Sequence, residues 1–90
     1  MKILAVDFGD TRTGLAICDK NEMLASPLGV ITERNFNECI KKTVLVVQEN
    51  KAELIVVGYP KNMNGTLGER AEKCSLFADE LKKLSGKTVE

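Results

Sequence analysis

The chain opens on a nearly unbroken apolar run, residues 2–8, interrupted only where Asp7 closes Ile3-Leu4-Ala5-Val6. A run of this kind predicts a central strand buried on both faces. The glycine-bracketed turn Gly9-Asp10-Thr11-Arg12-Thr13-Gly14 follows, and Leu15 and Ile17 then alternate with smaller residues up to Cys18, the pattern of a hairpin partner. Met23-Leu24-Ala25 and Leu28-Gly29-Val30-Ile31 supply a third strand, irregular at Ser26-Pro27. Proline cannot donate to a ladder, so this strand belongs at or near a sheet edge. The period then becomes helical. Asn35 and Glu38 have capping-box spacing, and Phe36, Ile40, Val44 and Val47 recur at helical intervals up to Asn50. Leu54-Ile55-Val56-Val57 is short, β-branched and bounded by Gly58-Tyr59-Pro60, which predicts a fully buried strand. Thr66 and Glu69 space a second capping box. Ala71, Cys74, Phe77, Ala78, Leu81 and Leu84 then mark one helical face, which ends in Lys82, Lys83 and Gly86. Lys87-Thr88-Val89-Glu90 opens another strand.

The resulting order, β-β-β-α-β-α-β, defines an α/β domain with a mixed sheet. Right-handed crossovers make the fourth strand parallel to the first. If the two are neighbours, their C-terminal ends share an edge, and Asp7 faces the loop from Gly58 to Gly65. Ligands of open α/β sheets collect at such an edge. An Asp on rigid backbone beside an open turn suits a hard cation such as Mg²⁺ or Mn²⁺, and Gly9 and Gly14 let main chain approach an ion or phosphate closely. On the facing loop Asn62, Asn64, Gly65 and Thr66 precede a helix N-terminus, whose free amides suit phosphate, and Arg12 and Lys61 reach the same edge. The competing explanation is conformational: Asp7 ends a strand, the glycines make a hairpin, and the Asn- and Gly-rich loop is an ordinary turn.

Composition narrows the field further. Ninety residues, 43% hydrophobic and 29% charged, describe one small folded domain over residues 1–90 rather than a disordered chain. Thirteen basic and thirteen acidic side chains cancel, so no global charge favours nucleic acid or membrane. A local basic patch still can, and Lys41, Lys42, Lys61, Arg70, Lys82, Lys83 and Lys87 are exposed candidates. Cys18, Cys39 and Cys74 lack the spacing of a zinc site and sit in apolar surroundings, which predicts buried, reduced thiols in a cytoplasmic protein. The chain has no histidine, which excludes Ser-His and Cys-His catalysis and histidine zinc ligation within it. No signal peptide and no apolar stretch of membrane length is present, so no membrane association is expected.

Two motifs in the expected order, Met1 to Gly9 with Arg12-Thr13-Gly14, and Val57-Gly58-Tyr59-Pro60 with Asn62 to Thr66 and Gly68-Glu69-Arg70-Ala71, resemble the YqgF family along the entire chain. These are bacterial nucleases of the ribonuclease H-like superfamily, related to Holliday junction resolvases and implicated in maturing the small-subunit ribosomal RNA precursor. The resemblance implies a ribonuclease H-like mixed sheet whose C-terminal strand and helix are incomplete or missing, since members continue into an Asp-Glu-Arg strand motif and an acidic helix. It implies a metal-dependent phosphodiesterase acting on an RNA precursor or branched DNA, with Mg²⁺ or Mn²⁺ held by carboxylates. Asp7 matches the first-strand metal ligand; Gly9, Arg12, Lys61, Asn62, Asn64, Gly65, Thr66 and Arg70 fall where substrate contacts are expected. Asp10 occupies a variable position. A single ligating carboxylate holds Mg²⁺ poorly, so these 90 residues are expected to lack nuclease activity on their own. An uncovered sheet face and edge favour a homodimer or strand exchange. The rival assignments are an ATP-binding fragment of the actin, Hsp70 and sugar-kinase superfamily, which uses a similar Asp-x-Gly turn, and a noncatalytic nucleic-acid-binding module.

Overall fold

Strand β1 (Lys2–Asp7) takes the centre of a five-stranded mixed sheet in the computed structural model, flanked by β2 (Arg12–Asp19) and β4 (Leu54–Val57). β3 (Ala25–Thr32) and β5 (Thr88–Val89) form the two edges, giving the order β3-β2-β1-β4-β5. Helix α1 (Phe36–Glu49) joins β3 to β4, and α2 (Gly68–Ser85) joins β4 to β5. Residues 1–9, 11–19, 25–58 and 68–90 are described, with side chains omitted for 68–71. β1 runs antiparallel to β2, with Asp7 opposite Gly14, and parallel to β4, with Val6 opposite Val57. The expected element order and the parallel direction of the first and fourth strands are therefore both observed, and the two strands are neighbours.

Met23 and Leu24 lie outside the described residues, and β3 starts at Ala25. It is an edge strand, as its proline requires. Its irregularity falls at Leu28: Leu15 pairs with Gly29 but Ala16 with Pro27, leaving one residue of β3 unmatched in a bulge. At the start of α1 half of the capping box forms. Asn35 Oδ1 accepts from the Glu38 N–H at 3.0 Å. The reciprocal arm goes elsewhere, since the Asn35 N–H donates to Glu33 Oε2 at 3.1 Å, and Lys42 Nζ donates to Glu33 Oε1 at 2.9 Å. Glu33 has taken the place of Glu38. Thr66 lies outside the described residues, and α2 begins at Gly68; its far end closes at Gly86, with φ +70 and its N–H donating to the Lys82 carbonyl at 3.0 Å.

Both helices cover one face of the sheet. Leu4, Val6, Leu15, Ile55 and Val57 meet Cys39, Ile40 and Val47 of α1 and Phe77 and Leu81 of α2 there. The other face is open, which corrects the expectation of burial on both sides: Ala5 is exposed, and Val56 is 38% exposed beside the buried Ile55. Leu84, grouped by its spacing on the helical face of Phe77 and Leu81, is 56% exposed and lines a surface groove with Lys41, Val44 and Leu45. None of the three cysteines is in a disulfide; Cys39 and Cys74 are buried and Cys18 is half-buried, because Cys18 lies on the open face. No helix among the described residues is long and apolar enough to cross a membrane.

Candidate functional site

One rim of the sheet collects the C-terminal end of β1, the start of β2, the end of β3 and the end of β4, because β2 alone runs against the others. Asp7 stands at the centre of that rim. It is exposed on the open face and borders a hollow of about 320 Å³ shared with Ala5, Gly14, Ala16, Val56 and Gly58. Gly14 lies directly across the ladder, where a Cβ would come 3.8 Å from that of Asp7; its absence leaves the flank of the carboxylate clear. The neighbouring parallel strand reaches the same level, with the Gly58 N–H donating to the Val6 carbonyl at 2.9 Å.

The turn after Asp7 is held from inside. A Cβ at Gly9 would overlap the Arg12 carbonyl oxygen, so the main chain closes too tightly there for any other residue. That requirement exists without any ligand. Thr13 is fully buried; its hydroxyl lies 3.3 Å from Cys39 Sγ on α1, and 3.5 Å from both the amide nitrogen and the carbonyl oxygen of Gly9. The two Gly9 contacts are long and individually weak, whereas the sulfur contact is short for its kind. Phe8 anchors the turn more strongly. Its ring stacks on Phe77 of α2 with centroids 4.5 Å apart and meets Phe36 of α1 edge-on at 5.9 Å; Phe36 and Phe77 touch at 6.1 Å. All three phenylalanines of the chain thus meet in one cluster directly after Asp7. Offset and edge-on ring pairs of this kind contribute about 0.5–1.5 kcal/mol each beyond the area they bury.

Asp7, Gly9 and Arg12 share this rim, and Arg12 is exposed at the start of β2. Arg70 belongs to the first turn of α2, whose N-terminus lies on the same side of the sheet because α2 connects two parallel strands. Lys61, Asn62, Asn64, Gly65 and Thr66 lie outside the described residues, as does Asp10. Behind β3, Glu33 pairs with Lys42 of α1 at 2.9 Å. The Lys42 ammonium, then the Asn35 N–H, hold the Glu33 carboxyl below its ordinary value, and Glu33 raises that of Lys42 in turn. Among the described residues no group of three or more Cys, Asp or Glu side chains is arranged to hold a metal ion. Asp7 fits one coordination position of a hard divalent cation, which is commonly held by one or two carboxylates together with substrate phosphate and water. A complete protein cage is not formed by the described residues.

Sequence reasoning missed Thr13 and Phe8. Thr13 had one signal: it occupies a core-facing register of β2, beside Leu15 and Ile17, yet carries a hydroxyl. Phe8 had none, since its partners are 28 and 69 positions away (36 − 8 and 77 − 8).

A mixed sheet in this order, with both helices on one face and an acidic residue at the end of the central strand, defines a ribonuclease H-like fold. RuvC from Thermus thermophilus, in complex with a Holliday junction substrate, superposes on 99% of this chain with a TM-score of 0.70 at 17% identity, using 62% of its own length. At that identity the likeness concerns the fold. A Bacteroides thetaiotaomicron protein with an actin-like ATPase fold superposes less well, with a TM-score of 0.62 at 10% identity over 98% of this chain and 31% of its own. Sequence decides between these lineages: the family described as RuvX, Holliday junction resolvase, matches residues 1–90, and the chain belongs to that family. A relative from Carboxydothermus hydrogenoformans, named "Putative pre-16S rRNA nuclease", is 37% identical over 86 residues, 96% of this chain and 62% of the relative. The chain thus spans about three-fifths of the length of the curated relatives it matches.

Proposed function

We propose that residues 1–90 form the N-terminal part of a single ribonuclease H-like nuclease domain. In this reading it cleaves phosphodiester bonds of structured nucleic acid, with the small-subunit ribosomal RNA precursor as the first substrate to test and the Holliday junction as the second. The observation that carries this reading is the position of Asp7: an exposed carboxylate at the end of the central strand, on the open face, with a glycine beside it and a ring cluster fixing the turn behind it. Family membership supports it.

Asp7 supplies one ligand of a Mg²⁺ or Mn²⁺ ion, and the remaining protein ligands come from the portion of the family domain that has no counterpart here. The ion, when bound, would contribute Lewis-acid stabilisation of charge at the phosphate and a nucleophilic water. The chain's own residues bind and orient. Arg12 places a planar, permanently charged fork at the rim for a backbone phosphate, and Gly14 keeps the approach to Asp7 free of side-chain bulk. Lys61, Asn62, Asn64, Gly65, Thr66 and Arg70 complete the substrate-binding set, and the setting is the cytoplasm. Self-association through the open face or the β5 edge belongs to the same proposal, supported by the exposure of Val56 on the open face.

Paramagnetic broadening by Mn²⁺ tests the central claim. The amides of Val6, Phe8 and Gly58 are expected to broaden first, and Asp7→Asn to abolish the effect without lowering the melting temperature. Broadening centred elsewhere, or unchanged in Asp7→Asn, would remove the metal site from this rim. Cleavage by the 90-residue chain itself is not expected, and metal-dependent cleavage sensitive to Asp7→Asn would show that one carboxylate suffices.

A further inference from the structure

The chain has three arginines, Arg12, Arg34 and Arg70, and the fold brings all three to the rim that bears Asp7. Lysines dominate the opposite rim: Lys2 and Lys87 precede β1 and β5 or begin them, Lys51 precedes β4, and Lys82 and Lys83 end α2. Of the three arginines, Arg34 was not singled out by any motif. It lies on the connection from β3 to α1, held against the Asp7 turn by two backbone ties. Arg12 pairs with Thr32, and the Glu33 N–H donates to the Thr11 carbonyl at 2.9 Å. Arg34 is therefore two positions beyond the residue that sits opposite Arg12.

Position beside Asp7 separates this pair from the other cations, since Lys2, Lys51, Lys82 and Lys87 are likewise exposed and outside any ion pair among the described residues. Lys41, Lys42 and Lys83 are engaged by Glu38, Glu33 and Glu80, whereas neither Arg12 nor Arg34 enters an ion pair among the described residues, and both are exposed. Glu33, the acidic group adjacent to Arg34 in the chain, is occupied by Lys42 Nζ and by the Asn35 N–H, so its charge is compensated on the side of α1. Two exposed guanidinium groups on fixed backbone, on the same rim as a carboxylate, make a receptor for more than one phosphate of a strand rather than for a single anion.

We propose that Arg34 contacts the sugar-phosphate backbone of the nucleic acid, at a phosphate beyond the one nearest Asp7. β3 lies two strand spacings from β1, roughly 10 Å. That distance is about three nucleotides of rise along one strand, so Arg34 serves a phosphate about three nucleotides from the one nearest Asp7 and sets how the strand lies across the rim. The inference rests on the nucleic-acid reading above and adds to it a residue and a direction of travel, from Asp7 over Arg12 towards the β3 edge.

Fluorescence anisotropy of the full chain, in EDTA so that hydrolysis plays no part, tests it with a labelled RNA hairpin and a labelled four-way DNA junction. Arg34→Gln is expected to weaken binding by about three- to tenfold at low salt and to flatten the log K against log salt slope by about one, independently of sequence. Lys51→Gln, on the opposite rim, is expected to leave both quantities unchanged, and neither variant to shift the melting temperature. Wild-type affinity and slope in Arg34→Gln, or an equal loss in Lys51→Gln, would overturn the inference while leaving the nucleic-acid reading in place. Absence of binding by the wild-type chain to both probes would overturn the two together. Loss of binding in Arg34→Gln combined with Mn²⁺ broadening that ignores Asp7 would keep the contact and discard the metal site.

Discussion

The two faces of the sheet carry nearly the same kinds of side chain and have opposite fates. On one, Leu4, Val6, Ile55 and Val57 lie under two helices and are almost wholly buried. On the other, Ala5, Ala16 and Val56 border an open hollow with Asp7 at its end. The difference teaches that an apolar strand residue in this protein contributes to stability according to which helix covers it, while the open face is where chemistry is possible. A carboxylate placed on the covered face would bear a large desolvation penalty; on the open face it remains hydrated and reachable.

The sharpest way to break that contrast is to compare adjacent residues of β4. Ile55→Ala removes a fully buried side chain and is expected to cost about 2–5 kcal/mol, a large share of the roughly 5–15 kcal/mol typical of a domain. Val56→Ala, one position along on the open face, is expected to cost about 0.5–1 kcal/mol. Urea denaturation of both variants measures the difference, and equal costs would mean that the open face is covered in solution.

A smaller effect sharpens the link between the two faces. Thr13→Val keeps shape but removes the hydroxyl beside Gly9 and Cys39, and is expected to cost about 0.5–1.5 kcal/mol. Amide exchange at Gly9 should accelerate in that variant while Leu4 and Ile55 keep their protection relative to global unfolding, and Thr13→Ser should restore the Gly9 protection. Uniform loss of protection would reduce Thr13 to a core-packing role.

The smallest expected effect concerns the strap between Glu33 and Lys42. Glu33 is held below its ordinary value of 4.5, so its contribution is present above that pH and disappears as pH falls through the lowered value. Lys42 is held above 10.5, so its contribution is complete below 10.5 and is lost only as pH rises through the raised value. Thermal melts of Glu33→Gln and wild type should therefore differ slightly at neutral pH and converge in acid. The pair is solvent-exposed, and salt should also narrow the gap.

Much of this arrangement was legible in the residues. The switch from strand to helical period gave the element order, the Asn35 cap fixed the start of α1, and the proline in β3 marked an edge. The two open positions were not legible, because Ala5 and Val56 look like core residues until the helices are seen to cover one side. The half-formed capping box was also hidden: Glu33 lies before the cap rather than within it, and long-range pairing with Lys42 outcompeted Glu38. Asp7, Gly9 and Arg12 could be placed on one rim from turn chemistry alone. Thr13 could not be given its place there, since a threonine in a strand is explained equally well by β propensity. Arg34 was invisible to motif reasoning because its position depends on the β2–β3 register and not on its sequence neighbours.

The stacked rings of Phe8 and Phe77 make the rim and α2 mechanically one body. Whatever grips the peptide after the central strand must also damp sliding of that helix over the sheet, and by reciprocity a looser helix must weaken the grip. A bound strand would therefore announce itself far from the point of contact, as slower deuterium uptake along the buried side of α2.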